Sequence, residues 1–370
     1  MRIVHSAPHC DEVGNGVVNV AVDLACKQAA AGHAVAFVSK NGSLNGLLRQ
    51  YGIAHIEIAQ ETRRVGSLVR SYRQLRRALI DFKPDVVHAH MVPGAVLARL
   101  VRTSVNFRLV TTVHNSPMPQ AVLMGLGDVV IAVSEAVASS MNRRGVPARK
   151  LRVVKNGPLG SPRRPKLEDD SAVRLQHPAV TTVARLFSQK GIDDLIAGFA
   201  IAAKTHEQAS LYIVGEGVER LKFEQQADAT ECADRIHFVG FVRDPRIYLR
   251  QSDIFVLASR SDPAPLVISE AREAGCAIIA TAVDGIPEGL DHGKAGILIP
   301  PSDPAALAAA LNTLLGDEVE TSRWRARAST NLGWLQLDRV NEETLSIYAE
   351  AVARSPGSPN GEQILAGGTR

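Results

Sequence analysis

Short apolar runs alternate with longer segments of helical periodicity along most of the chain. In the first half these runs are RIVHSA, HAVAFVSK, DVVHAH, RLVTTVH and DVVIAVS, and segments of helix length such as VVNVAVDLACKQAAAG separate them. Buried Val- and Ile-rich strands that alternate with helices indicate a parallel sheet covered on both faces. The first half is therefore predicted to be a doubly wound α/β domain.

The alternation stops in GPLGSPRRPKLEDDSAVRLQHP and restarts with AVTTVARL, ASLYIVGEG, RIHFVGFV, SDIFVLAS, CAIIATAV and AGILIP. We predict an N-terminal Rossmann-like domain at residues 1–160 and a C-terminal one at 161–335. Residues 336–353 are predicted to form a helix that crosses back to the first domain, and 354–370 a disordered tail. The predicted fold class is α/β, with two doubly wound Rossmann-like domains facing each other across a cleft.

The stretch SRSDPAPLVISEAREA reads as the loop and helix that follow a buried strand. Asp262 is predicted to cap the helix and Pro265 to lie in its first turn. Free N–H groups near Leu266 and Val267 then favour a phosphate or diphosphate. Glu270, one turn further on, offers its carboxylate to the vicinal hydroxyls of a ribose. The alternative is an ordinary strand-to-helix unit with a solvated Glu270.

Other strand ends of the second half carry cations and glycines. Arg185 ends one strand and Lys190 begins the next helix, so that both cations can converge on one dianionic group. Unrelated charges on a solvated turn are the alternative. Gly215 and Gly240 follow the next two strands, and we expect them to leave room for a bulky ligand.

The first strand is followed by EVGNGVVN, in which Gly14 and Gly16 allow a ligand to approach the backbone closely, or simply form a tight turn. A dinucleotide fingerprint is incomplete here, because Asn19 stands at the third glycine position. The second strand also ends at Lys40 without an acidic residue for a ribose. A nicotinamide or flavin cofactor is therefore disfavoured.

Histidines end two neighbouring strands of the first half. His88 and His90 end one strand and share a face, and His114 ends the next. Each is a candidate metal ligand or proton shuttle, or simply a polar residue where a strand leaves the core. No carboxylate or third histidine has the spacing of a metal site, so we predict none. His114 is the best-placed functional candidate, since Asn115 and Ser116 continue the polar edge.

The composition excludes several other classes of protein. Aromatic residues make up 4% of the 370 residues, which disfavours a stacking platform for single-stranded nucleic acid. The four cysteines lack the paired spacing of a zinc or redox site, so we expect reduced thiols in a cytoplasmic protein. The sequence contains neither a signal peptide nor a long uncharged apolar run.

The two halves carry opposite charge. Residues 1–165 hold 22 Lys and Arg against 9 Asp and Glu, whereas residues 166–370 hold 20 against 29. A basic amphipathic segment, RRVGSLVRSYRQLRRALIDF, is either a solvated helix face or a contact for an anionic membrane on the inner face of the plasma membrane. Its arginines are Arg63, Arg64, Arg70, Arg73, Arg76 and Arg77. No recognition helix favours nucleic acid as the partner.

In this order, ARLFSQKG, VGEG, GFV, the segment from Asp262 to Glu270 and TAVDGIPEGLDHGKAGILIPPSD resemble the retaining GT-B glycosyltransferases of the GT4 family, the glycosyl transferases group 1. The resemblance extends from the Gly14 loop through HAH and TVHN to LDRVNEETLSIY. It departs at Asp262, because the family usually has two glutamates separated by seven residues, and here the first of them is Asp262. Here only that second glutamate, Glu270, is present.

The resemblance implies roles for the candidate residues. Arg185 and Lys190 would hold the donor diphosphate together with the N–H groups near Leu266 and Val267, and Glu270 would bind the nucleotide ribose. The glycine loop and His114 would face the transferred sugar. The implied catalytic residues are Arg185, Lys190, His114 and Asp262, and the implied donor-binding residues are Gly14, Gly16, Gly215, Gly240, Leu266, Val267 and Glu270.

The implied activity is hexosyl transfer from a UDP- or GDP-linked sugar to a carbohydrate or lipid-linked acceptor, with retention of anomeric configuration. The family's setting suggests bacterial envelope or exopolysaccharide synthesis. The nucleotide sugar is a substrate, and we expect no cofactor and no obligatory metal, since the chain lacks an Asp-x-Asp triplet. The alternatives are a sugar-nucleotide epimerase or hydrolase on the same scaffold, and a catalytically silent nucleotide-sugar-binding subunit.

Overall fold

The structure, a computed structural model, describes residues 1–12, 16–59, 65–114, 118–164 and 173–354. Gly14, Arg63, Arg64 and most of the predicted tail lie outside these residues. The chain forms two compact units, which differ from simple halves. Unit 1 contains Met1–Asn156, Gly160–Arg163 and the chain from Leu337 onward, and unit 2 contains Gly157–Leu159 and Arg164–Gln336. The chain therefore passes between the units within a few residues of the two predicted boundaries.

Unit 1 is built on a seven-stranded sheet. Its elements in chain order are β1 (Arg2–His9), α1 (Gly16–Ala30), β2 (Ala34–Lys40), α2 (Asn45–Gln50), β3 (Ala54–Glu57), α3 (Val65–Phe82), β4 (Val86–Ala89), α4 (Val92–Val101), β5 (Arg108–Val113), β6 (Val129–Ala132), α5 (Glu135–Arg143) and β7 (Leu151–Val153). The strand order is β3-β2-β1-β4-β5-β6-β7, and neighbouring strands pair in parallel. The order reverses between β1 and β4.

Unit 2 repeats this plan with six strands. Its elements are β8 (Ala179–Val183), α6 (Ile192–Ala202), β9 (Ser210–Val214), α7 (Arg220–Asp228), β10 (Ile236–Gly240), α8 (Arg246–Leu249), β11 (Ile254–Leu257), α9 (Leu266–Ala274), β12 (Ala277–Thr281), α10 (Ile286–Gly289), β13 (Ile297–Ile299), α11 (Pro304–Gly316) and α12 (Glu318–Ala328). The parallel order is β10-β9-β8-β11-β12-β13. Here the order reverses between β8 and β11. The prediction of two parallel, Rossmann-like α/β domains is thus confirmed.

The cores follow from the continuous apolar runs. Strands β4, β6, β11 and β12 are buried along their whole length, as expected for sheets with helices on both faces. In unit 2, Phe199 of α6 and Leu307 of α11 pack into the same cluster as Ile279 of β12. Capping residues fix helix starts: Asp303 accepts from the N–H of Ala306, and Ser134 from that of Val137. Among the described helices none has the length and apolar content that crossing a bilayer requires.

The last helix, α13 (Leu337–Ala353), belongs to unit 1. Its Tyr348 is fully buried, and Asp338 pairs with Lys27 of α1 at 2.6 Å. Arg339 donates to the carbonyl oxygen of Lys155 at 2.5 Å. Lys155 and Arg339, which are 184 positions apart in the sequence, therefore both lie in unit 1.

A buried ion pair holds the connecting segment to α1. Arg163 donates from Nε and Nη2 to the two carboxylate oxygens of Asp23, each at 2.8 Å, and Ser161 donates to the same carboxylate at 2.7 Å. Both charged side chains are 2% exposed. A bidentate pair whose remaining acceptor is also satisfied can offset the cost of burying two charges. This pair could not be predicted from local patterns, since Asp23 and Arg163 are 140 positions apart.

Replacing Asp23 with alanine should destabilise unit 1 strongly, because it leaves the guanidinium of Arg163 buried without a partner. Removing one member of a buried pair typically costs about 3–5 kcal/mol. Chemical unfolding of the full-length protein, followed by far-UV circular dichroism, measures the loss. Glu231→Ala is the control, since Glu231 pairs with Lys204 at an exposed site and should change stability little. Equal stability of wild type and Asp23→Ala would contradict this role.

Candidate functional site

The reversal of strand order in unit 2 brings the loops after β8 and β11 side by side. In doubly wound sheets such a position, beyond the carboxyl ends of the strands, is where ligands bind. The β8 loop carries Arg185 and Lys190, and the β11 loop carries Asp262 and leads into α9. Arg185, Lys190 and Asp262 therefore lie on two neighbouring loops of one unit.

Helix α9 begins without a side-chain cap, which corrects one prediction. Pro265 is the N-cap residue, with φ −69° and ψ 121°, and no side chain accepts a hydrogen bond from the first turn. Asp262 lies three residues too early to cap a helix that starts at Leu266, and Pro265 precedes the first turn rather than joining it. The N–H groups of Leu266 and Val267 stand in the uncapped first turn, where they can bind an anion.

Asp262 bonds instead to the β8 loop. Nζ of Lys190 lies 2.5 Å from Oδ2 of Asp262, and the aspartate side chain is 11% exposed. Oγ of Ser259 contributes a longer hydrogen bond at 3.4 Å to the same oxygen. The guanidinium of Arg185 lies 4.5 Å from the centroid of the Phe187 ring and is otherwise exposed. The structure thus joins Lys190 to the α9 loop and gives Arg185 a different neighbour.

Two residues that the sequence had not singled out position the β11 loop. Arg260 donates to the carbonyl oxygen of Ser188 at 2.5 Å and pairs with Asp193 and Asp194 at 2.9 and 2.7 Å. Asp284, after β12, accepts from the backbone N–H of Asp262 at 2.8 Å. These contacts fix the position of Asp262 relative to the start of α6 and the end of β12.

Glu270, the predicted ribose ligand, is buried and paired. Its Oε1 lies 2.5 Å from Nη1 of Arg164, and the two side chains are 5% and 15% exposed. The solvated Glu270 of the alternative prediction is therefore wrong. A carboxylate has about four acceptor positions, so one bond from Arg164 leaves acceptor capacity for hydroxyl groups. Unit 2 resumes at Arg164, directly after the buried Arg163. No local pattern in the sequence marked Arg164 as a partner of Glu270.

The glycines after the strands mainly allow loops to approach one another. At Gly215, with φ 137°, an added Cβ would lie 1.9 Å from the carbonyl oxygen of Ala184. At Gly191, with φ 63°, it would lie 2.0 Å from the carbonyl oxygen of Ala258. Gly215 therefore holds the β9 loop against the β8 loop, and Gly191 holds the β8 loop against the end of β11. The sequence predicted room for a bulky ligand beside Gly215, but the backbone of Ala184 occupies that space. Gly240 also has a positive φ, 87°.

In unit 1 the reversal of strand order gathers four histidines. His5 of β1 is directly opposite His88 of β4, His90 follows β4, and His114 follows β5. The ring centroids of His88 and His90 are 4.1 Å apart, in agreement with their shared face. Nδ1 of His5 lies 3.0 Å from Nε2 of His90, and Nδ1 of His90 lies 3.2 Å from Nε2 of His114. We call this set the histidine cluster.

The histidine cluster is uncharged at neutral pH. Burial lowers the pKa of His5 to about 4 and that of His114 to about 3. Burial also holds the pKa values of His88 and His90 well below 6.5, and neighbouring histidines lower them further. Because charging any one ring would leave a cation among neutral partners, all four imidazoles are neutral where the enzyme would work.

A third histidine, His5, joins His88 and His90 from β1, which is distant from them in the sequence. Ligand atoms of His5, His88 and His90 lie within 4.8 Å of one another, which corrects the expectation that no third histidine is near enough. Each ring nitrogen of these three residues already lies within hydrogen-bond distance of a protein atom. His5 is a polar residue in the mostly buried strand RIVHSAPH. A histidine at such a position was the sequence feature that could have indicated its functional role.

Two family models match the chain in tandem. Residues 14–157 match the model described as Glycosyltransferase Family 4, and residues 163–331 match the one described as Glycosyl transferases group 1. The chain belongs to the GT4-type glycosyltransferases. The predicted family is thereby confirmed, and the enzyme is a transferase.

Curated relatives of this glycosyltransferase act in polysaccharide synthesis according to their names. Glycogen synthase of Mycobacterium tuberculosis is 28% identical over 291 residues, which cover 71% of this chain and 68% of the relative. The lipopolysaccharide core biosynthesis glycosyltransferase LpsD of Rhizobium meliloti is 26% identical over 286 residues, covering 76% and 80%.

The GT-B fold of this glycosyltransferase is shared with a solved structure. Anabaena HepE, crystallised with UDP and glucose, aligns with a TM-score of 0.82 at 20% identity, covering 94% of this chain and 99% of HepE. Chemically, the loops of unit 2 in this glycosyltransferase offer a cation, an uncapped helix start and a buried carboxylate within one strand-end region. That combination suits an anion joined to a hydroxylated group.

Proposed function

We propose that unit 2 binds a nucleotide-sugar donor and that the enzyme transfers its sugar to a carbohydrate or lipid-linked acceptor with retention of configuration. The observation that carries this proposal is the uncapped start of α9 beside Lys190. Backbone N–H groups and a fixed ammonium are the groups that a diphosphate requires. Arg185, exposed on the same loop as Lys190, supplies a second cation for it.

Catalysis in this proposal is electrostatic. Breaking the bond between sugar and diphosphate places negative charge on the leaving group, and fixed positive groups lower the energy of that state more than of the substrate. Lys190 is held in place by Asp262 before the donor arrives, so little reorganisation is needed. Asp262 positions Lys190 through this ion pair. We propose that Asp262 also accepts hydrogen bonds from the hydroxyls of the donor sugar.

Glu270 binds the ribose in this proposal. Its pairing with Arg164 fixes the position of the carboxylate, whose oxygens can accept hydrogen bonds from hydroxyl groups. On the family resemblance, we propose that His114, Gly14 and Gly16 serve the transferred sugar; Gly14 lies outside the described residues. None of the described residues is nominated as a protein nucleophile. Transfer is proposed to need no obligatory metal, which assays with and without EDTA would test.

The comparisons favour a UDP-linked donor and a bacterial envelope or exopolysaccharide product. HepE was crystallised with UDP-glucose as well as with UDP and glucose, and LpsD takes its name from lipopolysaccharide core synthesis. These are properties of the relatives, and for this chain they motivate the choice of UDP-sugars as the first donors to assay. Donor incubated without acceptor distinguishes a transferase from a hydrolase or epimerase, because a transferase gives only slow hydrolysis.

Arg185→Ala and Lys190→Ala should each lower the rate of sugar transfer by about 10² to 10³, since removing one group that stabilises the developing charge has this effect. Initial rates with a UDP-sugar donor measure the change. Lys204→Ala is the matched control, because Lys204 is an exposed unit 2 cation paired with Glu231. Folded Arg185 and Lys190 variants that transfer sugar at the wild-type rate would contradict the assignment.

We also propose that unit 1 contacts an anionic membrane from the cytoplasmic side through α3. Leu75 and Leu79 of α3 are buried in the core, whereas Leu68 and Val69 are each 43% exposed beside the basic face. The described arginines of that face, Arg70, Arg73, Arg76 and Arg77, are all exposed. Exposed basic residues with adjacent apolar ones favour an anionic lipid surface.

Replacing Arg70, Arg73, Arg76 and Arg77 together with glutamine should abolish binding to vesicles that contain anionic phospholipid. Wild type should bind these vesicles, bind neutral ones poorly, and dissociate as salt increases. Co-sedimentation measures both proteins. A variant in which glutamine replaces four exposed cations of unit 2, Lys204, Lys222, Lys294 and Arg323, controls for lost charge. Undiminished binding of the α3 variant would exclude this surface.

A further inference from the structure

A chain of hydrogen bonds runs from α1 through the histidine cluster to the end of β5. Oε1 of Gln28 lies 2.8 Å from Nε2 of His5, whose Nδ1 lies 3.0 Å from Nε2 of His90. Nδ1 of His90 lies 3.2 Å from Nε2 of His114. Gln28, His5 and His90 are buried, so that water does not compete for these bonds.

The neutrality of the rings gives this chain a direction. A neutral imidazole has one N–H donor and one acceptor nitrogen, and which is which depends on its partners. The amide oxygen of Gln28 only accepts, so Nε2 of His5 carries the proton and its Nδ1 accepts from His90. The same reasoning then places the proton of His90 on Nε2, and that of His114 on Nε2.

A side branch of the cluster contains His88. The amide nitrogen of Gln28 is buried and has no hydrogen-bond partner among the described residues. The hydroxyl of Tyr348 lies 2.5 Å from Nδ1 of His88, whose Nε2 lies 2.6 Å from Oγ1 of Thr112.

We propose that Gln28, through His5 and His90, fixes the tautomer of His114 so that its unprotonated Nδ1 is the nitrogen left to face a ligand. His114 then accepts a hydrogen bond from a hydroxyl and does not donate one. Gln28, His5 and His90 are positioning residues, since none of them needs to touch substrate. The relevance to sugar transfer rests on the proposed function, whereas the tautomer itself does not.

The tautomer depends on one amide orientation. Turning the Gln28 amide over would place a donor against Nε2 of His5 and reverse every bond in the chain, so that His114 would present an N–H at Nδ1. A mixture is disfavoured, because two rings with opposed directions would bring two N–H groups or two bare nitrogens together in a buried site. The cluster therefore acts as a unit.

Nuclear magnetic resonance of the full-length protein with ¹⁵N-labelled histidine rings tests the proposal at pH 7. Long-range ¹H–¹⁵N correlations distinguish the two neutral tautomers, and single histidine substitutions assign the signals. We expect His5, His90 and His114 to be neutral with the proton on Nε2. A proton on Nδ1 of His114 in the wild-type protein would overturn the proposal without need of any variant.

Variants then test the origin of the tautomer. Gln28→Leu removes the acceptor and should convert His114 to a mixture of tautomers, whereas Gln28→Glu retains an acceptor oxygen and should leave His114 on Nε2. Tyr348→Phe is the control, because it removes the partner of His88 outside the chain to His114. A single unchanged tautomer of His114 in folded Gln28→Leu would overturn the role of Gln28.

The two proposals fail separately. The spectra require no donor or acceptor, so the expected tautomers in a protein that transfers no sugar would refute only the proposed function. If transfer occurs, Gln28→Leu should lower kcat more than it changes the KM for donor, and Gln28→Glu should restore much of that loss. Equal kcat in wild type and Gln28→Leu would show that the tautomer does not serve the reaction.

Discussion

Parallel strand pairing is the constraint on which both units depend. Every strand pairing in the described parts of the two sheets is parallel, so in each unit the carboxyl ends of the strands share one edge. In a doubly wound sheet the order of strands reverses at one point, and the loops on either side of that reversal lie next to each other. In unit 1 the reversal brings histidines together, and in unit 2 it brings Lys190 to Asp262.

The strand-end edge of unit 2 carries charged side chains, whereas that of unit 1 carries neutral histidines. In unit 2 the side chains are charged and paired, as with Lys190 and Asp262, or Arg164 and Glu270. Such pairs hold a cation in a fixed position, which suits a charged ligand. In unit 1 burial keeps the histidines neutral, so their hydrogen bonds depend on tautomer and not on charge. Added salt should therefore weaken ligand binding at the strand-end edge of unit 2 more than at the strand-end edge of unit 1.

Periodic patterns in the sequence predicted the strands and helices. Contacts between residues far apart in the sequence could not be predicted in this way. Alternating apolar runs predicted the two sheets, and the pattern of strand, loop and apolar periodicity predicted the helix that begins at Leu266. The cap itself was wrong, because Asp262 forms a long-range ion pair that competes with local capping. Gln28, His5 and Arg164 acquire partners 23 to 106 residues away, and no local spacing reveals such contacts.

The central claim is that the start of α9 and the β8 loop hold the diphosphate of a donor. Hydrogen–deuterium exchange of the full-length protein with saturating UDP or UDP-sugar tests it most directly, with uridine as the control that lacks phosphate. We predict slower exchange at the amides of Leu266 and Val267 and in the segment from Arg185 to Lys190 with UDP, and no such change with uridine. Unchanged exchange in both segments, under conditions where UDP is shown to bind, would contradict the account.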